Sequence, residues 1–232
     1  MNAPQPPQID HLVVAARTLD EGVAWCKATL GVAPGPGGEH ALFGTHNRLV
    51  RLTCAEAPRA YLEIIAINPQ ATPTRPAKLK RWFDLDDPAL QARLAQHGPQ
   101  LVHWVASVPD IDAATAQLHA LGLERGRVLT ASRPSPQGLL QWRISVRDDG
   151  QRLFNGALPT LIQWGDAHPA RSMPPSGLAL HALSVGHPEA RTLQAALGAA
   201  GLDTPVVSGP AAIMVELDTP RGRVTLSSAL AR

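Results

Sequence analysis

Charge is scarce in this chain of 232 residues: 17% is Asp, Glu, Lys or Arg, and the excess is +2. So small a surplus, with residues 78–81 as the one basic cluster, excludes the positive footprint that nucleic-acid phosphates require. Cysteine is scarcer still. Two thiols, Cys26 and Cys54, without C-x-x-C spacing, exclude a disulfide framework. No apolar run reaches 18 residues, which excludes a helical membrane span. The opening Met1-Asn2-Ala3-Pro4-Gln5-Pro6-Pro7 has neither a charged start nor an apolar core, so it does not read as a signal peptide. These absences point to a cytoplasmic protein. Hydrophobic residues make up 44% of the chain, enough for an ordinary core over one large or two small domains.

What is present is a pattern repeated three times. Apolar runs around His11 (residues 9–15), His103 (101–108) and His181 (178–185) read as buried strands. Each leads into a helix that stops at a glycine: Gly31, Gly122 and Gly201. Thr18 and Glu21 form a capping box for the first helix, Asp110 caps the second, and Pro188 suits the first turn of the third. Three strand-like segments follow each helix: 41–43, 48–53 and 60–67; then 127–131, 139–146 and 160–164; then 205–208, 212–217 and 223–228. The expected fold class is α+β, built from βαβββ modules whose mixed sheet curves into a cup with helices outside. The expected boundaries are 9–75 for module one, 76–98 for a helical connector, 99–170 for module two and 176–232 for module three.

Alternation along a strand places His11 on one face with Val13 and Ala15, and Glu63 with Tyr61 and Ile65. A carboxylate between Leu62 and Ile64 in a buried strand is costly unless it is paired or bound to a metal. His103 and Gln163 hold the equivalent places in the second copy. Two imidazoles, a carboxylate and an amide oxygen suit one borderline divalent ion, with Zn, Ni, Fe, Mn and Co all compatible. His181 has no acidic counterpart in its last strand and reads as structural. Trp104 and Trp164 each follow a proposed ligand, so alternation points them away from the ion.

These modules, with His11, Glu63, His103 and Gln163 in that order, resemble the vicinal-oxygen-chelate superfamily, and more narrowly the bacterial glyoxalase-like domain proteins. Segments 9–13, 37–40, 44–49, 61–65 and 158–165 carry the likeness. The resemblance implies metal ligands from the first and last strands of modules one and two, hence the same four residues. Gln163 stands where glyoxalases have a second acid, and an amide takes no proton at neutral pH. Glu63 is then the catalytic acid–base group as well as a ligand, or the base is a water on the metal.

Other residues are placed around this centre. Arg143 reaches the cup if the apolar face of its strand lies under a helix. Arg51 is a second cation for an anionic substrate. His40 and Asn47, in a glycine-rich stretch without a phosphate-loop lysine, sit near the mouth. The function expected is a metal-dependent lyase or isomerase acting on a small oxygenated molecule. The alternatives are a metal-free small-molecule binding or resistance protein, and an Fe(II) extradiol-type dioxygenase using His11, His103 and Glu63. A homodimer is expected if module three leaves a sheet face uncovered.

Overall fold

The computed structural model describes residues 5–135 and 138–229. The leading Met1-Asn2-Ala3-Pro4 and residues 230–232, the end of the third copy, lie outside the described residues. Local chemistry sets the elements in order. β1 (Gln8–Ala15) leads into α1 (Leu19–Leu30), capped where Thr18 Oγ1 accepts from the Glu21 amide at 3.1 Å and closed by Gly31 at φ 75°. β2 (Glu39–His40), β3 (Thr45–Arg51) and β4 (Tyr61–Ile67) follow. The strand expected at 41–43 is a turn instead: the amides of Phe43 and Gly44 both donate to His40 O, and Gly44 takes φ 58°. α2 (Pro88–His97) starts at an Asp87 cap with proline in its first turn.

The second copy comprises β5 (Gln100–Ser107), α3 (Ile111–Ala120), β6 (Arg127–Ser135), β7 (Gly138–Val146) and β8 (Thr160–Trp164). Asp110 caps α3 by accepting from the amides of Asp112 and Ala113. The third copy comprises β9 (Ala179–His187), α4 (Ala190–Ala199), β10 (Val206–Ser208), β11 (Ala212–Thr219) and β12 (Gly222–Ser227). Among the described residues, no helix is long and apolar enough to cross a membrane.

The first eight strands form one mixed sheet in the order β2-β3-β4-β1-β5-β8-β7-β6. Its halves repeat one topology and join where β1 runs antiparallel to β5, with Val13 opposite His103. The sheet curves into a nearly closed cup. Its convex side carries Leu12, Val14, Leu62, Ile64 and Trp104 against residues such as Cys26 and Leu30 of α1 and Ile111 and Leu118 of α3. Its concave side carries Val13, Ala15, Ile65, Leu140, Trp142, Ile144 and Ile162.

The segment between the first two copies covers that concave apolar face. Trp82, Phe83 and Leu85, with Leu90 and Leu94 of α2, pack into it. α1 and α3 therefore lie outside the cup, whereas the connector and α2 lie inside. Phe83 and Asp84 take left-handed backbone at φ 59° and 58°, a conformation costing about 1 kcal/mol or more per non-glycine residue. The Asp84 carboxylate, accepting from Arg152 Nε at 2.8 Å and from the Arg152 amide at 3.1 Å, ties the segment to the loop before β8.

Strands β9–β12 form a second sheet whose inner face, with Ile213, Val215 and Leu217, joins the convex core. Its outer side is polar. Arg223 Nε donates to Asp218 at 2.9 Å, and His181 lies 3.9 Å from both Glu216 and Asp218.

A candidate acid–base site in the cup

β1 carries His11 into the cup. The register shift between Ile9 and His11 against β5 makes Asp10 a bulged residue. Neighbours on a regular strand face opposite ways, but a bulge re-aims a side chain, so Asp10 and His11 reach one network. His11 Nδ1–H donates to Asp10 Oδ1 at 2.7 Å. Asp10 Oδ2 accepts from Trp164 Nε1 at 2.8 Å and from His168 Nε2 at 3.1 Å. His168 Nδ1 accepts from the Ala170 amide, which leaves its proton on Nε2. Burial alone would raise the Asp10 carboxyl; hydrogen bonds from His11 and His168 outweigh it and hold the group well below the usual carboxylate range.

With Nδ1 engaged, His11 Nε2 points to Glu63 Oε2, 3.6 Å away. The other oxygen of Glu63 accepts from Asn47 Nδ2 at 2.6 Å. Asn47 is itself fixed: its Oδ1 accepts from the Gly38 amide at 2.8 Å, and its Nδ2 also reaches His40 Nε2 at 3.3 Å. His40 donates from Nδ1 to Thr45 Oγ1 at 3.0 Å. Burial, then the nearby cations beginning with Arg133, push His40 down to about 3, so it stays neutral. Tyr61 stacks on His11 at 4.6 Å. Burial, then Asp10 and Glu63, raise its phenol well above the ordinary value, so it keeps its proton. Trp82, Phe83, Trp142 and Trp164 wall the remaining space, a cavity of about 30 Å³ that has room for one or two waters.

The structure brings His11, Glu63, His40 and Asn47 together and places the other expected residues elsewhere. His103 faces the cup against Phe83 but has both nitrogens engaged. Nδ1 donates to Gly156 O at 3.0 Å, and Nε2 accepts from the Thr160 amide at 3.1 Å. Burial, then Arg152 and Arg125, hold its pKa well below the ordinary value. Gln163 lies on the opposite face of β8, where its Oε1 accepts from the Ile111 amide at the start of α3. Arg143, its register partner on β7, shares that face and pairs with Asp112 at 2.8 Å. Both positions were expected in the cup. The inward faces of β7 and β8 are instead the apolar ones, with Trp142, Ile144, Ile162 and Trp164, because they pack on the connector. Trp164 thus points to the site, not away from it. Arg51 lies at the rim, its guanidinium donating to the carbonyls of Ala170 and Pro58.

Sequence reasoning missed Asp10, Tyr61 and His168 as members of this buried network, and Arg133, which lines the same cavity from β6. The Asp10-His11 pair is adjacent in the sequence, but regular alternation separates it. His168 and Arg133 carry no local signal.

A curved sheet of paired βαβββ units around a buried cluster of titratable side chains defines the class. The glyoxalase-like domain family matches residues 9–201, and the chain belongs to it. A solved structure of a hypothetical protein from Staphylococcus aureus is similar at 14% identity and a TM-score of 0.56, over 95% of this chain and 85% of that one. Methylmalonyl-CoA epimerase from Streptomyces coelicolor, solved with 2-nitronate-propionyl-CoA, is 20% identical at a TM-score of 0.44, over 70% of this chain and 98% of that one. The epimerase from Mycobacterium tuberculosis is 16% identical at 0.39, over 72% and 93%. No curated protein matches the chain significantly.

Members of the wider superfamily typically bind a divalent metal. The donors present do not fit the expected four-ligand site. His103 has no lone pair to give, Gln163 is behind the sheet, and the lone pair of His40 Nε2 accepts from Asn47. His11 Nε2 and Glu63 Oε2 remain, two donors where catalytic zinc sites use three protein ligands. Among the described residues no group of three His, Cys, Asp or Glu side chains is arranged to hold an ion. The His11, His103, Glu63 set of an Fe(II) dioxygenase fails for the same reason.

Proposed function

We propose that this protein is a lyase or isomerase of the glyoxalase-like type that moves a proton on a small oxygenated molecule bound in the cup. The observation that supports this reading is the buried chain from Asp10 through His11 to Glu63, with Asn47 fixing the far oxygen of Glu63. In this reading the molecule lies in the larger groove of about 270 Å³ that shares Arg133, Leu49 and Pro169 with this cavity, and only a carbon acid and its neighbouring carbonyl enter the water-sized space beside Glu63. Glu63 Oε2 takes its proton as the C–H bond breaks, and the electron pair moves to the carbonyl oxygen. The phenol of Tyr61, which keeps its proton and is hydrogen-bonded to Asp10, would turn from that carboxylate to donate to the developing oxyanion. His11, oriented by Asp10, exchanges the proton with Glu63 through Nε2, and return to the carbon gives the isomer. A positioned base of this kind contributes about 10²–10⁴-fold to rate. No step passes through a metal.

The test is solvent deuterium incorporation followed by NMR, across 2-oxo acids, 2-hydroxy acids and neutral 2-hydroxy ketones, with and without chelator. The expected result is exchange in at least one compound that survives chelation and slows by about 10²–10⁴-fold in Glu63→Gln. Exchange that needs an added divalent ion, or that Glu63→Gln leaves intact, would overturn the reading.

A further inference from the structure

We infer that the molecule held here is a compact amphipathic monocarboxylic acid, its carboxylate on Arg133 and its apolar tail in the groove beside the cavity. The place of the reacting carbon rests on the proton-transfer reading above; the carboxylate and the tail rest on separate observations.

Arg133 reaches in from β6 and lines both the inner cavity and a larger groove. Its guanidinium donates to Gly37 O at 3.3 Å, and the Glu63 charge acts on it from the same cavity, but among the described residues no carboxylate is in salt-bridge contact with it. Arg51 and Arg143 are already committed, the first to carbonyls and the second to Asp112. A half-buried guanidinium with no carboxylate in direct contact is costly. An incoming carboxylate would meet it with two parallel charge-assisted hydrogen bonds.

The backbone is cut to admit this side chain. A Cβ at Gly38 would lie 2.3 Å from Arg133 Nη1, and one at Gly37 would lie 2.1 Å from Asn47 O. The Gly37-Gly38 pair thus lets the guanidinium and the Glu63-fixing amide lie side by side. Among the described residues Arg133 is the one guanidinium lining this cavity and Glu63 is an anion beside it, so a single carboxylate is matched and the ligand's other end turns outward.

That end meets Leu49, Val50, Leu140, Pro169, Met173 and Pro174, which wall a groove of about 270 Å³. Small-molecule pockets run from roughly 300 to 1,000 Å³, so the tail is short: a branched alkyl group or a single ring.

Isothermal titration of the full chain tests this with four probes: 4-methyl-2-oxopentanoate, phenylpyruvate, the methyl ester of the first, and 2-oxoglutarate. The two monoacids are expected to bind, with the ester and the diacid at least about tenfold weaker. Arg133→Gln is expected to weaken the monoacids by about 10- to 100-fold, the worth of a charged hydrogen bond, and to leave the ester unchanged. Arg133→Lys is expected to recover part of the loss, and equal melting temperatures show that both variants fold. Failure of both monoacids to bind at millimolar concentration, an ester that binds as well, or wild-type affinity in Arg133→Gln overturns the inference. The two readings fail separately. Arg133-dependent binding without deuterium exchange refutes proton transfer alone. Exchange confined to neutral ketones, without Arg133-dependent binding, refutes the acid alone.

Discussion

Replacing Asp10 by asparagine tests how the site is held. The Asp10 carboxylate accepts three hydrogen bonds, from His11, Trp164 and His168, in full burial. Charged hydrogen bonds are worth about 1.5–3 kcal/mol and neutral ones about 1. Removing the charge from three should therefore cost about 3 kcal/mol, a fall of about 6–12 °C in melting temperature for a chain of this size. Geometry also dictates how the amide sits. Trp164 Nε1 and His168 Nε2 are both donors, so the amide oxygen must face them and the NH₂ must face His11 Nδ1. His11 then moves its proton to Nε2, and the lone pair aimed at Glu63 is lost. Thermal unfolding at several pH values, with ¹⁵N NMR of the histidines, reads both effects. The folded pKa of Asp10 is depressed below its ordinary 3.8, so its contribution is complete above that value and is lost as pH falls toward the folded pKa. The gap between wild type and variant should be full at pH 7 and narrow below 3.8. No gap at neutral pH, a gap that widens in acid, or an unchanged His11 tautomer would refute this account of the site.

Three further outcomes follow from the same contacts. Gly38→Ala should displace the Arg133 guanidinium and weaken monoacid binding about tenfold with little change in melting temperature, since the clash falls on a flexible tip; calorimetry and melting curves read the two separately. His103→Ala should lower stability by about 2–4 kcal/mol in urea, from its lost hydrogen bonds and the space left behind, without altering the metal content measured by elemental analysis. Trp82→Ala, removing a buried ring stacked on Phe43 at 4.0 Å and Phe83 at 4.9 Å, should cost about 3–5 kcal/mol in urea unfolding.

The legible parts of this chain were those set by near neighbours in sequence. Thr18, Asp110 and Gly31 each declare a helix end through contacts within a few residues. His11 and Glu63 lie on parallel strands whose alternation can be read locally. What alternation cannot tell is which face of an apolar strand turns inward. Residues 160–164 carry apolar side chains on both sides, and the inward assignment fell to Ile162 and Trp164, so Gln163 and Arg143 went outward together. The strand of His103 was visible, but not its partners, because Gly156 and Thr160 lie 53 and 57 positions away. Arg133 stands in a strand without a marked pattern, and its role appears only where Gly37 and Gly38 come beside it.

The connector has a consequence for how such a protein changes its ligand. Trp82, Phe83 and Leu85 shape the inside of the cup, yet they belong to no strand of the sheet that forms it. Substituting them resizes the chamber without touching any strand register or the strands that carry His11 and Glu63. The segment behaves as an exchangeable mould insert: recasting it alters what fits, while the curved shell and its His11–Glu63 pair stay in place.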